Sequence, residues 1–114
     1  MNIKTTDLRN KFEILKNKIS EKKNEEVIKE CNLILKDNKI DAFYNLLCIA
    51  YSNKNNINKA ISTMKEALKK NPKNQDFLNN LGMFYAKTHN YKEAENFYKM
   101  GLKINKNNLH ILNN

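Results

Sequence analysis

Asn45, Asn79 and Asn113 recur at a fixed spacing of 34 residues, and Asn80 and Asn114 stand beside two of them. An Asn amide carries an acceptor oxygen and two donor hydrogens, so one side chain can pair with a peptide C=O and a peptide N–H together. A row of such amides would grip an extended backbone without reading its side chains. The chain holds 22 Asn in 114 residues; at that frequency a given column of three arises by chance about once in 150.

Other chemistry finds little support in the residues. No Ser/His/Asp or Cys/His arrangement has a usable spacing, so no catalytic residue is assigned and the chain is not expected to be an enzyme. His89 falls in a turn and His110 near the end, both as surface residues. Cys31 and Cys48 lie at apolar positions without a CxxC or His companion, which gives neither a metal site nor a disulfide framework. Neither metal nor cofactor is expected. Buried free thiols suit a reducing compartment, and without a signal-peptide h-region or an apolar run long enough to span a bilayer the expected location is cytoplasmic.

The net charge is +9. A basic surface can attract nucleic acid, anionic membrane or acidic protein. However, Asn, Lys and Ile make up nearly half of the chain and share A/T-rich codons, so composition alone supplies the charge and nucleic acid is not the expected partner. Lys59, Lys65, Lys69 and Lys70 cluster on one helix and read as a solvated face.

Helices must position these residues. Leu8, Phe12, Leu15 and Ile19 make one apolar stripe on a helix over 5–20, with Thr6 or Asp7 as cap and Lys11, Lys16 and Lys18 on the other side. A second helix covers 25–37. A third starts with Asp41 as cap and buries Phe43, Tyr44, Leu47, Cys48 and Tyr51 in whole or part. Asn53–Asn56 makes a turn in which Asn tolerates the left-handed conformation. A fourth helix, Ile57–Lys70, is stopped by Pro72. Helix five covers 75–87, with Leu78, Leu81, Gly82 and Tyr85 inward, and helix six 91–104.

Residues 41–74 and 75–108 are two copies of one pattern. Leu47 matches Leu81, Tyr51 matches Tyr85, Ala60 matches Ala94 and Leu68 matches Leu102. A fixed period of this length marks a solenoid. The pattern resembles the tetratricopeptide repeat. Tyr44, Leu47, Cys48, Tyr51, Ala60, Met64, Ala67 and Pro72 fill its positions in one copy. Leu78, Leu81, Gly82, Tyr85, Ala94, Tyr98 and Gly101 fill them in the next, with Lys106 where Pro is usual. Aligned on Val27, Cys31 and Ile34, residues 8–40 form a degenerate copy one residue short, with Lys18 where Tyr is expected. Residues 109–114 read as the start of a fourth. The resemblance implies an all-α, right-handed α-solenoid of antiparallel helix pairs, residues 1–114 forming one domain of three repeats plus the start of a fourth. It also implies a fragment of a longer array.

In that family the first helix of each unit lines a concave groove. The resemblance places Ala42, Asn45, Leu46, Ile49, Ser52 and Asn53 there in one copy. It places Asp76, Asn79, Asn80, Met83, Ala86 and Lys87 in the next, and His110, Asn113 and Asn114 in the last. The residues taken forward as a peptide-binding groove are Asn45, Ile49, Asn79, Asn80, Met83, Lys87, Asn113 and Asn114. The column looks like the Asn ladder of O-linked N-acetylglucosamine transferases, although at the matching place only Asn80 and Asn114 are Asn and Leu46 is not. The family's carboxylate clamp is missing, since Leu46, Asp76 and Asn80 stand where it needs Asn, Lys and Arg. The expected function is a scaffold that binds a protein or extended peptide. The alternative is a docking arm of a larger enzyme, of glycosyl- or sulfotransferase type, whose active domain follows residue 114. Self-association through an uncapped C-terminal end is a further expectation.

Overall fold

Thr5–Ser20 (α1), Asn24–Asp37 (α2), Asp41–Asn53 (α3), Ile57–Lys70 (α4), Gln75–Lys87 (α5) and Tyr91–Asn113 (α6) are all α-helices. The computed structural model describes residues 5–113, with side chains for 6–104, and contains no strand among them. Asn114 and the side chains of His110 and Asn113 lie outside the described residues. The chain divides into two units, Met1–Thr63 and Met64–Asn114, and α4 runs through the division.

In the first unit α2 packs on α3, and α1 packs on both. Leu15, Val27, Cys31, Phe43, Tyr44, Leu47 and Cys48 are almost wholly buried there. Both thiols are free, and burial pushes each up to about 12, so they act as small apolar side chains. In the second unit α5 packs on α6 around Phe77, Leu78, Leu81, Phe84 and Ala94. Gly82 lets the two helices approach. A Cβ built there would stand 2.6 Å from Cε1 of Tyr98, inside contact distance.

The repeat is written most plainly in the turns. Lys22, Asn55 and His89 are the three residues with positive φ among those described, at 63°, 61° and 64°. Counted from Leu8, Asp41 and Gln75, all three stand at place 15 of their copies. Each turn repeats the same hydrogen bonds. The N–H of Lys23, Asn56 and Asn90 donates to the carbonyl of Lys18, Tyr51 and Tyr85, each at 2.9 Å. The residue before donates to Ile19, Ser52 and Ala86 at 3.0, 2.9 and 3.0 Å. This is the helix-ending motif that prefers Gly, adopted three times without one. It also places the degenerate first copy in register.

Tyr51 and Tyr85 occupy equivalent places. The Tyr51 hydroxyl accepts from Asn32 Nδ2 at 3.4 Å, and Lys59 lies over its ring at 5.5 Å. Lys65 lies over the Tyr85 ring at 5.5 Å, and Phe97 stacks on that ring at 5.6 Å. Asn32 and Lys65 hold the same place in successive copies. In the first copy Lys18 takes the tyrosine's place and meets α2 through charge instead. Its ammonium lies 3.1 Å from Glu26 and 3.7 Å from Glu30, and Lys11 reaches Glu30 at 3.1 Å. Lys11 and Lys18 therefore do not sit on the free side of α1, as the sequence reading has it. They are half-buried against α2.

This substitution carries a pH dependence. The hydrogen bond and charge of Lys18 hold the Glu26 carboxyl below its ordinary 4.5, and Lys54 does the same for Glu25. A carboxyl lowered in the folded state stabilises above its unfolded value, and that stabilisation is lost as pH falls through the folded one. Urea midpoints should fall as pH is lowered through and below the ordinary carboxyl value of 4.5. Lys18→Met should lose less of its own stability over that interval than the parent. An identical acid loss in both proteins would show that the pair contributes nothing.

Helix ends explain the remaining differences from the sequence reading. Ile40, not Asp41, is the cap of α3, with extended φ −102° and ψ 127°. Asp41 falls in the first turn, where a carboxylate favours the helix dipole. Asp7 does the same in α1, which starts at Thr5. Before Pro72, α4 ends at Lys70, and Asn74 then caps α5 by accepting from Phe77 N at 3.1 Å. With Lys106 in proline's place, α6 runs past the expected end at Ile104 to Asn113. Phe77 and Phe84 are core residues that the sequence reading leaves out. The exact match of Phe77 to Phe43 at 34 residues is the signal that identifies the first of them.

Candidate functional site

The expected groove residues sit on α3 and α5. On α3, Asn45 is half-buried and Ile49, one turn on, is exposed. On α5, Asn79 is exposed, Met83 one turn on is exposed, and Lys87 a further turn on is exposed. Ile49 and Met83 hold the same place in their copies and show almost the same exposure, 41% and 40%. Residues four apart share a helix face, so each helix presents an amide followed by an apolar side chain.

The neighbouring place behaves differently. Leu46 is buried and does not line an open face, contrary to the reading by resemblance. Asn80, its counterpart, is half-buried and directs Nδ2 at the thioether of Met64 on α4, 3.8 Å away. One residue along a helix rotates the side chain by about 100°, so Asn79 and Asn80 cannot share a direction. Asn79 leans across its own pair: a Cβ built at Gly101 would lie 2.9 Å from Asn79 Oδ1. The glycine makes room for the amide, a role that the sequence reading does not give it.

A feature missed from the sequence lies on α1 and α3. Leu8, Arg9, Phe12, Ile40, Ala42 and Phe43 line an open, mostly apolar cavity of about 320 Å³. Phe12 stands where the later copies carry Asn45 and Asn79, and its ring meets Phe43 edge-on at 6.0 Å. Its place in the apolar stripe is legible; that it remains half-open beside Arg9 is not.

Among the described residues no group of three or more His, Cys, Asp or Glu is placed to hold a metal ion. No described helix is long and apolar enough to cross a membrane. His89 is exposed, and its Nδ1 lies 2.9 Å from the Tyr91 hydroxyl within the turn. The arrangement offers hydrogen-bonding amides and apolar surface.

A family model described as tetratricopeptide repeat matches residues 53–112, more than half of the chain. A comparison with curated proteins finds no match.

Proposed function

Because the chain belongs to the tetratricopeptide repeat family, whose repeats generally mediate protein–protein interaction, we propose that it is a non-enzymatic binding module for an extended peptide or protein segment. The observation that supports this reading is the matched pair of faces: Asn45 followed by exposed Ile49 on α3, and Asn79 followed by exposed Met83 on α5. An exposed Ile or Met taken alone needs no explanation. The same place left open on both first helices, each time beside an amide, favours a ligand that is gripped by its backbone and buries an apolar side chain against the repeat it meets. Lys87 extends the α5 face with a positive charge, and Asn113 and Asn114 are proposed as its continuation in sequence.

Dodecapeptides displayed on phage and selected against the chain provide the probe. A selected peptide, titrated by calorimetry, should bind the Asp variant of the repeat it occupies, Ile49→Asp or Met83→Asp, about tenfold or more weakly, as for a central interface contact. Helix content should be unchanged. Asn79→Ala should weaken binding by a smaller factor. Equal affinity for parent and both Asp variants would overturn the reading.

A further inference from the structure

Place 5 of the first helices sets the first copy apart from the other two. Asn45 and Asn79 carry an amide there, and Phe12 carries a ring. An amide pairs with any extended backbone and reads no side chain. Phe12 instead forms a wall of the open, mostly apolar cavity of about 320 Å³, with Leu8 and Arg9 on one side and Ile40, Ala42 and Phe43 on the other. A cavity of this volume stands at the small end of ligand sites and has room for one large side chain rather than a folded element. Arg9 is the one charged residue of its lining. It is exposed, and no ion pair among the described residues engages it.

The opening does not depend on where the chain starts. The cavity lies between α1 and α3, the first helices of two successive copies, and Phe12 lines it from place 5. Ile49, one turn on from place 5 of α3, is 41% exposed although its copy has one before it and one after it in the sequence.

We propose that this cavity takes a Leu or Phe side chain of a bound peptide, with an Asp or Glu two places away in the peptide pairing with Arg9. The inference rests on the proposed peptide-binding function and adds the side-chain selection that the amides cannot supply. Residues two apart in an extended chain turn to the same face, about 7 Å from each other, so an anchor in the cavity brings that carboxylate to the rim. Charge specifies the occupant. The chain carries +9, and Arg9 stands at the cavity itself. Glu13 is exposed four residues after Arg9 and offsets part of its attraction. A second copy at +9, or the chain's own leading residues with Lys4 beside Ile3, lacks the complementary charge that an acidic peptide brings.

Dodecapeptides displayed on phage and selected against the full chain should be enriched in Leu or Phe with Asp or Glu two places away. One such peptide, end-blocked, labelled and followed by anisotropy, should bind Ala42→Leu, which fills the cavity, about tenfold more weakly. Arg9→Glu should weaken it by a similar factor, and a peptide with Lys in place of its acid should recover binding to that variant. Glu13→Gln should tighten the original peptide severalfold at low salt. Arg9 is exposed and Ala42 borders open space, so both variants should keep their helix content and thermal midpoint. Peptides weakened by Ile49→Asp or Met83→Asp but indifferent to Ala42→Leu and Arg9→Glu would overturn the cavity assignment and leave the proposed function standing. Selection of no peptide would overturn both. The assignment is also overturned if Ile3→Asp raises the affinity, which makes the chain's own leading residues the occupant, or if Ala42→Leu abolishes a concentration-dependent dimer in light scattering.

Discussion

Phe77→Ala should cost about 3–5 kcal/mol, the range for emptying a fully buried aromatic site. Phe77 is 0% exposed at the start of α5, and its backbone N–H donates to the capping side chain of Asn74, so the ring and the helix start are fixed together. Domains of this size hold about 5–15 kcal/mol in total, so the loss takes a large part of the folded margin. Urea unfolding followed by circular dichroism would read it as a lower midpoint. Met83→Ala on the same helix supplies the control. Its side chain is 40% exposed, and surface changes of that kind stay within about 0.5 kcal/mol. A loss below about 1 kcal/mol for Phe77→Ala would mean that the ring does not fill the core as described.

The second large effect has the opposite sign. Lys22, Asn55 and His89 hold left-handed backbone, where a side chain costs about 1–2 kcal/mol and Gly costs little. Each stands where the helix-ending motif usually places Gly. Lys22→Gly, Asn55→Gly and His89→Gly should each stabilise, by somewhat less than that cost because Gly also loosens the unfolded chain. Asn tolerates the conformation better than Lys or His, so Asn55→Gly should gain least. The three turns are separate, so the combined variant should gain about 2 kcal/mol by near-additivity. An unchanged or lower thermal midpoint in the triple variant would refute the strain argument.

Much of the fold is legible in the sequence because helix and turn signals are local. Pro72 fixes the end of α4, and Asn55 and His89 mark turns by their types and their spacing of 34. What escapes is what depends on neighbours distant along the chain. Lys18 reads as a flaw in the pattern until Glu26 and Glu30 are seen across from it. Phe84 and Leu46 are buried, which no local period reveals. The same limit applies to the candidate site. The Asn column is visible as spacing, but the turn of Asn80 toward Met64 and the space that Gly101 leaves for Asn79 are properties of packed helices.

The first copy is shorter than the second, and the helix bounds locate the difference. Three residues, 38–40, separate α2 from α3, while four, 71–74, separate α4 from α5. The tight bends within pairs keep one hydrogen-bonded geometry in every copy. Length is thus negotiable at the hand-over from one pair to the next and fixed inside each pair. An engineer who wished to splice a foreign loop or a cleavage site into this chain would choose the stretches around Lys39 and Lys73, and would leave the hairpins alone.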